Sequence, residues 1–559
     1  MSEANVIQLN NFEEDLLSLA IEKRKGGNVD GALSILLNLE DRGSKFIDIF
    51  AQIAKCYMEI NLNVLALKYW YKFLNYCPKN KQAIAFNGLG ACYYYLDEFH
   101  LAGFYFEKQI NLSNDKDYEF DNVMLEYYDE LVKLTKPEFS VCYPPEKVDT
   151  EPIIEKGDEL FFAGKYAEAI NTFELVLPVS ENYGEAQLKM ATSEYYNNQF
   201  DVAKERINRL IAQDIEKIPC ILTLIGMLLS ENQHQEALPY FEMIENEELD
   251  VDALSRLAPA YCEIGRLEKA KEIFEKVLEY DFYDINSSFL LGLTYYNLKE
   301  FEKAKEKFVL CYTVTRSPSA KYYVELCSKM VEDDSKFKTL EFTFNVDDDE
   351  AKKRFNFLEK ALKGGRKFIG KNDKNKLLEY VEWAFSFDSN WQKDIIECLL
   401  TNPYLQIRKY FIEKLLDQTI SDNRKTLIIE KLVENGYNKR VGVVFGGIYT
   451  TIELLKVELD KEKNKIFTKA YARAFSLIAP VTDKNQYKLC DSCYKLYYAL
   501  KENGNIRKIT DVNALAAAIA FCSGLRTTTD ITILSRYFNT KKSDVFYVLE
   551  LAGVDDESY

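Results

Sequence analysis

The chain of 559 residues contains two histidines, His100 and His234. Histidine is the side chain that shuttles protons most readily near neutral pH, so its scarcity removes the commonest general acid and base. Both precede an alanine of a recurring pattern, at the expected turn into a helix, and neither has a metal-type neighbour. The nucleophile-elbow pattern G-x-S-x-G and the zinc-protease pattern H-E-x-x-H are also missing. Long apolar runs are absent as well: the most apolar stretch, Asn513 to Cys522, is about half of the roughly 20 residues that cross a bilayer. The opening MSEANVIQLNNFEEDLL has no basic segment followed by an apolar one, the pattern of a secretory leader. No membrane contact and a cytoplasmic location are therefore expected.

Cysteine is present but without a metal pattern. Most of the twelve cysteines, Cys56, Cys92, Cys262 and Cys311 among them, fall at helix-core positions and read as buried reduced thiols. Cys490 and Cys493 form a C-x-x-C with no second pair and no nearby histidine, whereas a zinc site needs four ligands. Gly365 to Asn372 approaches the phosphate-loop pattern G-x-x-x-x-G-K-[ST], but Asn372 lacks the hydroxyl and a helix, not a strand, is expected before it. No metal, cofactor or catalytic set can be named, and a non-enzymatic protein is expected.

What is present is a ladder. Ala32, Ala66, Ala102, Ala169, Ala203, Ala237, Ala270 and Ala304 fall at intervals of 34, 36, 67, 34, 34, 33 and 34. A period near 34 is the length of one helix-turn-helix unit, which cannot bury its apolar face alone and must stack on its neighbours. Around the alanines a second pattern recurs: Leu89-Gly90, Tyr93, Ala102, Phe106; Leu257-Ala258, Tyr261, Gly265, Ala270, Phe274; Leu291-Gly292, Tyr295, Ala304, Phe308. Two helices packed within about 8 to 10 Å need small residues where they touch and large ones where they diverge. Over residues 12 to 316 the chain resembles the tetratricopeptide repeat family. The unit around Ala169 keeps Gly157, Gly164 and Phe173 but has Leu160 at the usual tyrosine. Lys23, Glu194 and Leu228 stand there in the units around Ala32, Ala203 and Ala237, which rest mainly on spacing.

The organisation that follows is mainly all-α: a helical solenoid of tetratricopeptide-like repeats in two blocks, a helical region with one β-hairpin, and a small C-terminal helical bundle. Residues 1–115 hold repeats one to three. Residues 116–150 hold a helix from Tyr118 to Lys133 and a connector in which prolines 137, 144 and 145 bar regular helix. Residues 151–335 hold repeats four to eight and a capping helix from Ala320 to Glu332, with Pro259 expected to bend the first helix of the seventh repeat. Residues 336–464 form a basic helical region: LEFTFNV alternates like a short strand, and Val441 to Phe445 and Ile448 to Leu454 flank Gly446-Gly447 as a hairpin. Residues 465–559 are helical. There NALAAAIAFC and the following TDITILSRYFNTKKSDVFYVLEL are similar to the last helices of a cyclin-like repeat of the transcription factor IIB type, which implies a helix-turn-helix.

Charge divides the chain. Residues 1 to 350 carry 36 basic and 63 acidic side chains, a net −27, and residues 351 to 559 carry 35 and 26, a net +9. The halves either attract each other or address different partners. The repeat resemblance implies a groove lined by first helices, with Lys55, Tyr94, Tyr95, Phe161, Phe162, Tyr195, Tyr196, Arg256, Phe289 and Tyr296 as candidate contacts. Aromatic and arginine side chains dominate interface energetics, although positions beside the signature tyrosine also pack between helices. The family's carboxylate-clamping Lys and Asn set is not visible, because Gly88 and Leu290 replace its Asn. The leading expectation is a scaffold holding a protein or peptide, its acidic rims favouring a basic partner. The alternative is a regulator contacting nucleic acid through the basic half, with Lys352, Lys353, Arg354, Lys363, Arg366, Lys367, Lys371, Lys541 and Lys542 as candidate phosphate contacts.

Overall fold

The computed structural model describes residues 3–113, 127, 150–178, 180–245, 247–371, 373–386, 389–401, 404–459, 464–481, 486–525 and 530–554. Apart from Tyr127, the expected helix from Tyr118 to Lys133 and the Pro-containing connector lie outside these residues. The chain forms two compact units, residues 1–136 with 349–559 and residues 137–348. This division differs from the expected sequential segments, because the first repeats join the C-terminal half.

One local closure builds every repeat. All eight ladder alanines are fully buried, where the two helices of a hairpin approach most closely. A Cβ at Gly90 or Gly157 would overlap the ring of Phe106 or Phe173, and one at Gly292 would lie 2.9 Å from Phe308. The small residue is thus demanded by the large one sixteen positions on. Five residues before each alanine, Gly27, Asn61, Asp97, Gly164, Asn198, Asn232, Gly265 and Lys299 all have left-handed φ between 58° and 81°. The next residue's N–H returns to the carbonyl at the signature-tyrosine position: Asn28 to Lys23, Glu98 to Tyr93, Gln199 to Glu194, Glu300 to Tyr295, at 2.8–2.9 Å. This is a Schellman closure of the first helix. It uses backbone alone, so the units with Lys23, Glu194 and Leu228 close like the others. At Glu194 the lost tyrosine is replaced by a buried ion pair, the carboxylate accepting from Arg206 at 2.6 and 3.0 Å.

In the first unit, α1 (Glu3–Lys25), α2 (Val29–Asp41), α3 (Asp48–Glu59), α4 (Asn63–Tyr76), α5 (Gln82–Tyr94) and α6 (Phe99–Ser113) make three hairpins. Helices from Asp348 to Glu434 follow, then β1 (Arg440–Phe445) and β2 (Ile448–Glu453), antiparallel with Phe445 opposite Ile448. Gly446 and Gly447 both have positive φ, 52° and 76°, as a tight hairpin turn requires. The last helices wrap Val512–Cys522, whose Ala514 to Ala520 are buried all round. Ala-rich composition lets the neighbouring helices 464–478, 486–502 and 542–552 approach it closely. Gly365 to Lys371 of the phosphate-loop-like segment lie in the helix Asp348–Lys371, interrupted at Gly365 with φ 48° and ψ −137°, and Asn372 lies outside the described residues.

In the second unit five hairpins run from Glu151 to Thr315, and Pro318–Glu332 caps them. Pro259 sits inside the unbroken helix Val251–Glu263. LEFTFNV is not a strand. A strand needs a partner edge, and among the described residues none is offered; side chains take up backbone groups of Leu340 and Asn345 instead.

Candidate functional site

In the second unit the first helices end in pairs that recur in register, seven and eight residues before each alanine: Phe161-Phe162, Tyr195-Tyr196, Leu229-Ser230, Cys262-Glu263 and Tyr296-Asn297. At the start of the array these pairs stay open. Phe162 is 84% exposed and Tyr196 53%, and the rings of Phe161, Tyr166, Tyr195 and Tyr196 pack on one another at 5.3–5.6 Å. Beside them lies a cleft of about 370 Å³ whose lining includes Thr192, Tyr195, Tyr196, Thr223, Gly226 and Arg256. Nothing lies within 4 Å of where a Cβ at Gly226 would stand, so the wall is open there. The Arg256 guanidinium donates to Thr223 Oγ1 at 3.0 Å. Desolvation lowers its pKa, and no carboxylate forms an ion pair with it among the described residues. An aromatic ledge thus stands next to a cation whose hydrogen-bond partner is neutral.

Further along the same array the face is covered by the chain itself. Phe289 and Tyr296 are 4% and 2% exposed. Phe344 packs on Phe289 and Phe337 on Tyr296, each at 5.6 Å between ring centres. The Asn297 side chain donates to the Leu340 carbonyl at 2.8 Å and accepts from the Leu340 N–H at 2.7 Å.

In the first unit Lys55 is half-buried, its pKa lowered by burial and by Arg24. Tyr94 packs on Tyr127 at 4.6 Å, and the Tyr95 and Tyr127 hydroxyls lie 2.6 Å apart. The larger surprise is on α4 to α6. Tyr71 and Tyr105, one period apart on successive second helices, donate with Tyr93 to the Gly447 carbonyl at 2.6, 2.5 and 3.4 Å. The Tyr449 N–H donates to Tyr105 Oη at 3.0 Å, and the Tyr449 hydroxyl donates to Asn75. From the other side Lys425 Nζ donates to the Val444 carbonyl at 2.7 Å and Asp422 accepts from the Gly446 N–H at 3.0 Å. Burial pushes Lys425 down to about 8 and Tyr93 up to about 12. The hairpin turn is therefore held as a ligand would be. Sequence reasoning missed Tyr71 and Tyr105 because a large residue beside the bulky position, here Trp70 and Phe106, reads as core.

The basic strip is only partly a surface. Arg354 is buried, with its Nε donating to Glu350 and its guanidinium over Tyr380 and Trp383, which withdraws it from phosphate contact. Lys353 and Lys363 pair with Glu350 and Glu359, while Lys352 and Lys367 are exposed. The side chains of Arg366 and Lys371 lie outside those described. Lys541 precedes the last helix and Lys542 sits 5.5 Å from the Phe546 ring. Among the described residues burial raises the thiols, Cys56 to about 12, which disfavours the nucleophilic thiolate. Among the described residues no cluster of His, Cys, Asp and Glu is placed to hold a metal, and no helix is long and apolar enough to cross a membrane.

No curated protein matches this chain in sequence. Among solved structures it is similar to YrrB, a tetratricopeptide-repeat protein with an unusual peptide-binding site, at 20% identity over 32% of this chain and 92% of that one, with a TM-score of 0.25. It is similar to the TPR2AB domain of yeast Sti1 in complex with pHSP90, at 14% identity over 48% and 98%, TM-score 0.20. The Cut9–Hcn1 hetero-tetramer of the APC/C aligns at 11% identity over 98% and 91%, TM-score 0.25. No equivalence of whole molecules follows at such scores. Residues 251–284 match the model of the tetratricopeptide repeat; with the same helix closure at all eight alanines, the chain carries tetratricopeptide repeats.

Proposed function

We propose that this is a non-enzymatic, cytoplasmic interaction scaffold that holds a protein or peptide partner in the open part of the second unit's groove, from Phe161 to Arg256. The observation that carries the reading is selective exposure. The equivalent pair at the end of the same array, Tyr296-Asn297, is covered by the chain's own residues, while Phe162, Tyr196 and Arg256 are left to solvent beside a cleft. Exposed rings clustered this way are the usual anchors of a protein interface. The first unit's repeats are spent internally on the hairpin. A net −27 over residues 1 to 350 favours a partner that is basic overall, with Arg256 receiving a local carboxylate or carbonyl.

The test is site-specific photocrosslinking from the full chain. A photoreactive phenylalanine at position 162 or 196 should capture one defined protein, and the same group at exposed Val202, on a second helix, should not. Binding of that protein should fall at least tenfold in Tyr196→Ala and stay unchanged in Tyr95→Ala. Equal capture from position 202, or binding indifferent to Tyr196→Ala, would remove the groove as the site.

A further inference from the structure

The covered end of this groove shows how it holds a chain. Residues 340 to 346 alternate in apolar character yet form no strand, so their peptide groups must be satisfied elsewhere. Asn297 pairs with both the N–H and the carbonyl of Leu340, and Tyr323 donates to the Asn345 carbonyl at 2.9 Å. A primary amide that gives one hydrogen bond and takes one from the same residue reads extended main chain, whatever the side chain. The rings supply the rest: Phe337 lies against Tyr296 and Phe301, with the Lys299 ammonium 4.9 Å from its ring, and Phe344 lies against Phe289. Asn297 occupies the place in its repeat that Tyr196 and Phe162 occupy in theirs, seven residues before the alanine. The segment therefore lies along the same line of the array as the open ledge.

The segment lies over the core, not within it: Phe337, Leu340 and Phe342 pack against the array from outside, whereas Lys336, Lys338, Thr339 and Glu341 are exposed and Phe344 is 52% exposed. We propose that Asn297, Tyr323, Phe289 and Tyr296 form a subsite for extended polypeptide, and that residues 336–345 are its built-in occupant. A partner segment with the same chemistry, a chain extended where Asn297 reads it and with aromatic side chains spaced as Phe337 and Phe344, replaces them. This rests on reading the groove as protein-binding and adds the conformation of what it binds and the contact that guards it.

The probe is a fluorescein-labelled synthetic peptide of residues 336–345, followed by anisotropy with the full-length chain. Phe337→Ser with Phe344→Ser weakens the internal occupant and should raise affinity for the peptide at least tenfold over the unaltered chain. Adding Asn297→Ala to that variant should reverse the gain, and a scrambled peptide should bind neither. Equal binding by the unaltered and double-serine chains, or binding unaffected by Asn297→Ala, overturns the proposal. Hydrogen exchange on the unaltered chain gives a second reading that needs no variant. Excess peptide should speed exchange at 337–345, and no change shows that the segment is a fixed part of the fold. Capture through position 196 that persists when these tests fail leaves the groove assigned and removes only the guarded subsite.

Discussion

Glycine shows how one repeat makes two unrelated demands seven residues apart. Gly157 is required by space, since a Cβ there would overlap Phe173; Gly164 has nothing within 4 Å of its absent Cβ but sits at φ +74°. Alanine at either position should destabilise the second unit. The overlap at 157 costs about 1–3 kcal/mol, and left-handed alanine at 164 costs about 1–2 kcal/mol. The two are separable by a second change: Phe173→Leu should restore most of the stability lost in Gly157→Ala and none of that lost in Gly164→Ala, as read by urea unfolding. The same distinction explains what the sequence made legible. Ala, Gly and Phe at fixed spacing announced the packing, but the left-handed turn is served by Gly, Asn, Asp and even Lys299. No single residue type marks it. It becomes visible only when the positions five before each alanine are aligned.

Elements were legible where a local signal dictated them. Gly446-Gly447 between two apolar runs specified the hairpin to within a residue, and the ladder specified the helical pairs. Where an element docks depends on residues far apart, and there the pattern was silent: Tyr71 and Tyr105 meet a carbonyl more than 340 positions away. LEFTFNV misled for the converse reason, since alternation describes an extended chain but cannot say whether a strand or an asparagine faces it. The hairpin latch has a direct test. Gly447 has φ +76°, and a Cβ there would press on the Tyr93 hydroxyl at 2.8 Å and on Leu101, so Gly447→Ala should unseat the turn. Tyr71→Phe with Tyr105→Phe removes two donors to one buried carbonyl, at about 1 kcal/mol per bond. Both variants should speed amide exchange in 440–453 while 183–297 keeps its protection. Unchanged exchange in the hairpin would mean that the tyrosines merely pass close to it.

Over the whole molecule, net charge suggests an acidic half and a basic half that attract, yet inside the first unit the contact runs in the opposite sense. Where the halves meet, lysines come from the acidic half and carboxylates from the basic one: Lys72 lies 3.8 Å from Glu413 and Lys68 lies 3.9 Å from Asp417, while within the halves Lys72 pairs with Glu40 at 2.7 Å and Lys414 with Asp417 at 3.2 Å. Glu382 completes the network through Lys414 at 2.8 Å and a hydrogen bond from Tyr410. Burial alone would raise these acids, but Lys72 holds Glu40 below the ordinary glutamate range. Lys414 and Lys68 do the same for Glu382 and Asp417. A depressed carboxylate contributes stability that is present above the unfolded pKa and lost as pH falls through the folded one. The first unit should therefore weaken below about pH 4. In the second unit Glu245 and Glu300 are lowered by hydrogen bonds to Lys269 and Lys303, which are far more exposed than Lys72 and Lys414, so their contribution is smaller. The two are distinguishable by an accident of composition: all three tryptophans, Trp70, Trp383 and Trp391, belong to the first unit. In an acid titration the tryptophan emission should shift red at a higher pH than the bulk of the far-ultraviolet helical signal is lost. Lys414→Met leaves Glu382 and Asp417 without their nearest cation, a change that costs about 3–5 kcal/mol at a buried pair. It should move the tryptophan transition to still higher pH while the later loss of helix stays where it was. Coincident transitions that move together would show that the network does not act on the first unit alone.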